Sequence, residues 1–119
     1  MTFTSKNRAE WRSWLSDNHH SASEVWLVLF KKTSGKANLS YNDAVEEALC
    51  FGWIDGMKRS IDEERYSLRF TPRKADSQWS QSNKDRVRRL IEAGQMARAG
   101  QDAVDLAKKS GVWDREHPN

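Results

Sequence analysis

Two different hydrophobic periods mark the first third of the chain. Residues from Thr4 or Ser5, either of which can cap a helix, to about Asn18 carry apolar side chains three or four positions apart, which predicts a helix. The apolar residues of this helix are Ala9, Trp11, Trp14 and Leu15. Residues 24–32 (EVWLVLFKK) are instead apolar at odd and even positions alike, so they predict a central strand covered on both faces.

A second helix and a hairpin are predicted next. Ser40 is the expected N-cap of the helix, and Gly52 fits the residue with positive φ that ends it. The buried side of this helix carries Ala44, Val45, Ala48 and Leu49. Residues 53–71 then predict a hairpin with DEER near its turn, and Pro72 closes the second strand because proline cannot donate to a ladder.

The last third of the chain predicts two helices that form a helical hairpin. The first begins at Ser80 or Ser82 and ends near Gly94, and the second runs to about Lys109, followed by Trp113 as an anchor. The inward residues are Val87, Leu90 and Ile91 in the first helix, and Ala97, Gly100, Val104 and Ala107 in the second. We therefore expect one α+β domain over residues 1–119, with a small, mainly antiparallel sheet (strand 24–32 and hairpin 53–71) packed with about four helices.

Composition narrows the expected location. The single cysteine, Cys50, excludes a disulfide framework and favours a reducing compartment. The N-terminal residues lack the apolar core of a signal peptide, and no stretch approaches the roughly 20 apolar residues of a membrane span. We expect a cytoplasmic protein without membrane insertion.

Charge is unevenly distributed along the chain, although the formal net charge is only +3. Residues 40–56 hold four acids and no base, whereas residues 65–98 hold nine bases and three acids, a net charge of +6. A basic segment of this kind can attract phosphates or another acidic partner. A solvent-exposed surface of a helix and a sheet would give the same count of charges, and most Lys and Arg side chains in proteins are simply exposed to solvent.

Three strings carry a resemblance to a known family: SYNDAVEEALCFGWIDG, then DEERYSLRFTPRKADSQWSQSNKDRVRRLIEAG, then GVW. Together they resemble the YdeI/OmpD-associated family, also called bacteriocin-protection proteins, over residues 14–113. The resemblance implies a role in tolerance of bacteriocins, cationic antimicrobial peptides or envelope stress. It implies no catalytic residues and no cofactor. We do not extend it to a porin partner, because that would require export.

Asp55 is the central candidate for a site, because it lies in an otherwise apolar run between two glycines. A buried carboxylate needs a partner, and Arg59 of the same strand or Arg69 of the returning strand could pair with it. Such a pair could simply set the register of the hairpin. Alternatively, it could line a pocket for a small anionic ligand or a partner together with Trp53, Thr71, Arg73, Trp79, Asn83 and Arg86.

Two other classes of function stay open. In an enzyme, the same polar cluster would use Asp55 as general base, although the catalytic motifs we sought do not occur. Cys50 has no histidine nearby, adjacent Glu46 and Glu47 diverge around a helix, and His19, His20 and His117 show no ligand spacing. We therefore predict no metal and no catalytic residue.

The third class of function is binding of single-stranded nucleic acid. In such a protein, Trp53, Trp79 and Trp113 would stack bases. Ligand identity, strand register and oligomeric state stay open.

Overall fold

The computed structural model describes residues 1–115, so His117 lies outside the described part of the chain. It has four strands and four helices, which confirms the α+β class. The elements are β1 (Thr2–Thr4), α1 (Arg8–Asn18), β2 (Val25–Phe30), α2 (Tyr41–Cys50), β3 (Trp53–Ser60), β4 (Arg65–Pro72), α3 (Gln81–Glu92) and α4 (Arg98–Ser110). Short 3-10 turns span Lys32–Ser34 and Val112–Asp114.

The sheet has the strand order β1-β2-β4-β3, with β1 parallel to β2 and both other pairs antiparallel. It is therefore mainly antiparallel, as predicted. The short strand β1 was not predicted, because three residues acquire strand structure only by pairing with β2, where Phe3 lies opposite Leu27. The predicted helix start was also wrong, since Thr4 belongs to β1 and the Asn7 side chain caps α1 by accepting a bond from the Glu10 amide.

The hydrophobic core lies between one face of the sheet and the helices. From α1, Trp11 packs against Phe70 of β4 with ring centroids 5.2 Å apart, and Trp14 meets Trp53 of β3 edge-on at 5.9 Å. Burying a large apolar side chain contributes about 1.5–3 kcal/mol. Because Phe70 contacts α1, the face of the sheet that carries Phe70 is the inward one. The alternate residues of β4 face away from the helices.

The predicted boundaries of α2 are confirmed at both ends. The Ser40 hydroxyl accepts a hydrogen bond from the Asp43 amide at 3.0 Å, and Gly52 has φ +76° where the helix turns into β3. On the side of α2 that faces α1, Arg8 bonds Asp43 at 2.8 Å, Glu46 at 3.0 Å and also Glu47. These ion pairs tie the acidic segment of the chain to the first helix.

The last two helices depart from the prediction in two ways. Ser80 caps α3, as one of the two alternatives proposed, and Val87 and Leu90 are buried. Ile91, however, is 40% exposed, because the inward arc of this helix is narrower than its apolar stripe. Both α3 and α4 pack against α2 more extensively than against each other, so they do not form the predicted helical hairpin.

A β-bulge in β3 changes which of its residues share a face. Asp55 lies opposite Phe70, but the next pair toward the turn is Lys58 with Leu68, so three steps along β3 match two along β4. Asp55 and Lys58 therefore both face the helices. Arg59 lies opposite Ser67 and faces the other way.

The end of α2 and the start of α4 make a close backbone contact. The Ala97 amide donates to the Cys50 carbonyl at 3.1 Å, and Gly100 lies directly against that carbonyl group. No helix within residues 1–115 is both long and apolar enough to cross a membrane.

Gly100→Ala is expected to destabilise the fold by about 3 kcal/mol, because an added Cβ would overlap the Cys50 carbonyl group and lie 2.6 Å from the Leu49 carbonyl oxygen. Gly56→Ala is the matched control, since the nearest atom to its added Cβ is 3.8 Å away. Urea unfolding of the three proteins measures both effects. Equal stabilities for the two variants would contradict the close packing of α4 on α2.

Candidate functional site

The strand register and the bulge place the predicted site residues on opposite faces of the sheet. Arg59, Arg69 and Thr71 lie on the face away from the helices, which we call the open sheet face together with Trp26. There, Arg69 pairs with Glu24 at 2.6 Å and the Arg59 guanidinium lies 4.6 Å from the Trp26 ring centre. The predicted ion pair of Asp55 with Arg59 or Arg69 is therefore wrong, because a carboxylate that faces the helices cannot reach them.

Trp53 is part of the core rather than of a pocket. Its side chain is 1% exposed, and its indole N–H points to the His19 carbonyl oxygen at 3.4 Å. Its ring packs edge-on against Trp14, as expected for a buried aromatic pair. Trp53 therefore shapes the fold beneath the site and offers no surface to a ligand.

Asp55 has a partner that the sequence did not suggest. The Tyr41 hydroxyl, at the first position of α2, donates to Asp55 Oδ2 at 2.8 Å. Partial burial and the neighbouring carboxylate together raise the pKa of Tyr41 to about 12. The phenol therefore stays protonated at neutral pH and acts as a hydrogen-bond donor that holds Asp55 in place.

Arg86 of α3 joins this pair to two asparagines. It donates from Nε to Asn42 Oδ1 and from Nη1 to Asn83 Oδ1, both at 2.9 Å, and its charge opposes the rise in the pKa of Tyr41. Of the predicted site residues, Asn83 is buried and Arg86 links α3 to α2 through Asn42. We call Tyr41, Asn42, Asp55, Asn83 and Arg86 the polar cluster.

Arg73 follows β4 and lies beside the polar cluster. Its amide donates to the Gly52 carbonyl at 2.9 Å, its guanidinium lies 3.8 Å from the Trp79 ring centre, and Nη2 donates to the Gln78 carbonyl at 2.7 Å. Burial lowers the pKa of Arg73 to about 10, and the charge of Asp55 only partly opposes this. No carboxylate of residues 1–115 lies within ion-pair distance of it.

A cleft of about 70 Å³ opens beside Arg73 and Trp79. It is lined by Arg73, Lys74, Ala75, Trp79, Ala103, Leu106 and Ala107, and we call it the Arg73–Trp79 cleft. Its far wall comes from α4, which was not predicted to contribute to a site. Lys74 was not among the predicted site residues either, although its place directly after Arg73 in the RFTPRK string indicates a second cation at this point.

More cations surround the aromatic pair that borders the cleft. Trp79 and Trp113 pack with ring centroids 5.0 Å apart, and the ammonium groups of Lys84 and Lys108 lie 5.8 and 5.0 Å from the Trp113 ring centre. Within the described chain, neither lysine forms an ion pair, and neither does Lys74. The cleft and its border therefore carry cationic groups that form no ion pair among residues 1–115.

Other chemistry has little support in the residues present. Burial raises the pKa of the Cys50 thiol to about 11, so it stays protonated and is a poor nucleophile. Among residues 1–115, no group of three His, Cys, Asp or Glu side chains could hold a metal ion. Trp53, Trp79 and Trp113 are buried, so they expose no ring faces on which bases could stack.

Residues 3–103 match a family described as a domain of unknown function, DUF8412, and the chain belongs to that family. No curated protein and no solved structure matches the chain. The function must therefore be argued from the site itself.

Asp55→Asn is expected to lower the pKa of Tyr41 from about 12 toward its ordinary value of 10, because the carboxylate favours the protonated phenol. The folded protein holds that proton more tightly than the unfolded chain. The stability that this bound proton adds to the folded protein is thus complete below pH 10 and is lost as the pH rises to about 12. Ring chemical shifts of Tyr41 followed against pH measure this, with Tyr66 as internal control. An unchanged Tyr41 titration in the variant would rule out the Tyr41–Asp55 interaction.

Proposed function

We propose that this protein is a non-catalytic binding protein that holds a small anionic ligand in the Arg73–Trp79 cleft. The observation that carries the proposal is the Arg73 guanidinium, which is partly buried against Trp79 without a carboxylate partner. Burying an unpaired charge costs stability, and an oxyanion in the cleft would offset that cost. The planar guanidinium also suits the geometry of a carboxylate or phosphate.

Asp55 does not neutralise Arg73, because it is bound elsewhere. Its Oδ2 atom accepts the Tyr41 hydroxyl, and no ion pair joins the carboxylate to any cation among residues 1–115. Its charge still favours the protonated form of Arg73. In this proposal the Tyr41 bond keeps Asp55 from closing the site.

The physiological setting that we propose follows the resemblance to the YdeI/OmpD-associated family: tolerance of antimicrobial peptides or envelope stress, exerted in the cytoplasm. A cationic peptide is not itself a suitable ligand for the cleft, because Arg73 and Lys74 would repel it. The protein would therefore act through an anion rather than by sequestering the peptide.

Arg73→Gln is expected to weaken binding of inorganic phosphate and acetate at least tenfold, because it removes the partly buried guanidinium of the cleft. Arg69→Gln is the matched control, since Arg69 carries the same charge on the open sheet face. Amide and indole NMR titrations read out binding at Trp79 and Trp113. Arg73→Lys keeps the positive charge but loses the paired N–H donors of the guanidinium, so it should bind both anions with intermediate affinity.

Two results would contradict this function. One is an absence of saturable shifts at Trp79 and Trp113 in the folded wild-type protein with either anion. The other is equal loss of binding in the Arg73 and Arg69 variants, which would mean that the anions interact with the basic surface in general. A short cationic peptide should give no shifts in the cleft.

A further inference from the structure

The wall of the Arg73–Trp79 cleft opposite its cations is entirely aliphatic. Leu106 and Ala107 of α4 follow Ala103 by three and four positions, so both lie beside it on one side of the helix, and Ala75 adds a further methyl group. Leu106 is 49% exposed although it borders the cleft. A bare inorganic anion would leave this wall in contact with water, so the wall adds nothing to the affinity for such a ligand.

The aromatic side chains beside the cleft are already engaged. The Arg73 guanidinium lies over the Trp79 ring at 3.8 Å, Trp113 packs against the same ring, and Trp79 is only 2% exposed. A flat ring, such as a nucleobase, therefore finds no free face on which to stack. This favours a ligand whose apolar part is a chain of methylene groups over one with an aromatic ring.

The size of the cleft limits the length of that chain. A water molecule needs roughly 10–15 Å³ of such space, so about 70 Å³ holds on the order of five groups of this size. An oxyanion head occupies part of it, which leaves room for about two or three methylene groups. Further methylene groups would pass over the exposed Leu106 side chain into solvent.

We propose that the ligand of the Arg73–Trp79 cleft is an oxyanion with a short aliphatic chain, whose head lies at Arg73 and Lys74 and whose chain lies along Ala103, Leu106 and Ala107. This inference rests on the proposed anion-binding function and adds the chemical class of the ligand. It holds for a carboxylate or a phosphate head, because both match the guanidinium. In this proposal the exposed Leu106 side chain is covered by the aliphatic chain of the ligand.

The first experiment is a chain-length series followed by the indole signals of Trp79 and Trp113 and the methyl signals of Leu106. Acetate, butyrate, hexanoate and decanoate form one arm, and phosphate and butyl phosphate form a second. Each enclosed methylene group should tighten binding by up to about fourfold, and the gain should level off after two or three methylene groups. Hexanol and hexylammonium, which lack the anionic head, should bind much more weakly than hexanoate.

Leu106→Ser separates the aliphatic contact from the charge. It should reduce the gain in affinity from acetate to butyrate, with the acetate affinity of the same variant as the reference. Ile91→Ser is the matched control, because Ile91 is a similarly exposed aliphatic residue on α3 and does not line the cleft. Both positions are exposed, so neither substitution is expected to unfold the protein.

The outcomes distinguish the two proposals. If acetate and butyrate bind equally well, and both depend on Arg73, the aliphatic chain is excluded and the anion site stands. If no soluble anion binds, or if hexanol binds as well as hexanoate, the proposed function itself fails. Shifts that appear only with vesicles of anionic phospholipid, and not with butyrate or butyl phosphate, would mean membrane docking and would also overturn the inference.

Discussion

The rest of the structure depends on the close approach of α4 to the end of α2 at Gly100. The absence of a Cβ lets the backbone of α4 lie against the Cys50 carbonyl, which also accepts a bond from the Ala97 amide. Two residues further along, the Gly52 carbonyl receives the Arg73 amide. One turn of chain thus sets the positions of α4, β3 and Arg73, and with them both walls of the cleft.

The distribution of ion pairs explains why the cleft stays positively charged. The acids of α2 are bound by α1, since Glu47 is 3% exposed and accepts bonds from Arg8 and Arg12, with Asp43 and Glu46 also held by Arg8. Asp55 is bound by a neutral phenol. The acidic segment is therefore used within the fold, and the basic second half of the chain is left without these carboxylates as partners.

Local signals predicted most of the elements. Ser40, Gly52 and Ser80 act at helix ends as expected, because caps and positive-φ turns are decided by side chains within a few residues. Strand β1 and the exposed Ile91 escaped prediction, since a three-residue strand and the width of a buried arc depend on neighbours distant in sequence.

The sequence by itself predicted the fold class, both ends of α2, the cap of α3 and the hairpin, and it named Asp55, Arg73, Trp79, Asn83 and Arg86 as candidate site residues. Only the tertiary structure decided how these residues group. The bulge after Asp55 reversed the faces of the following residues, so that Arg59 separated from Asp55. The packing of α2 on β3 brought Tyr41 to the carboxylate instead. One added residue in a strand moves every later side chain of that strand to the opposite face of the sheet. The position of the added residue is set by the pairing of β3 with β4 rather than by any pattern within β3 itself.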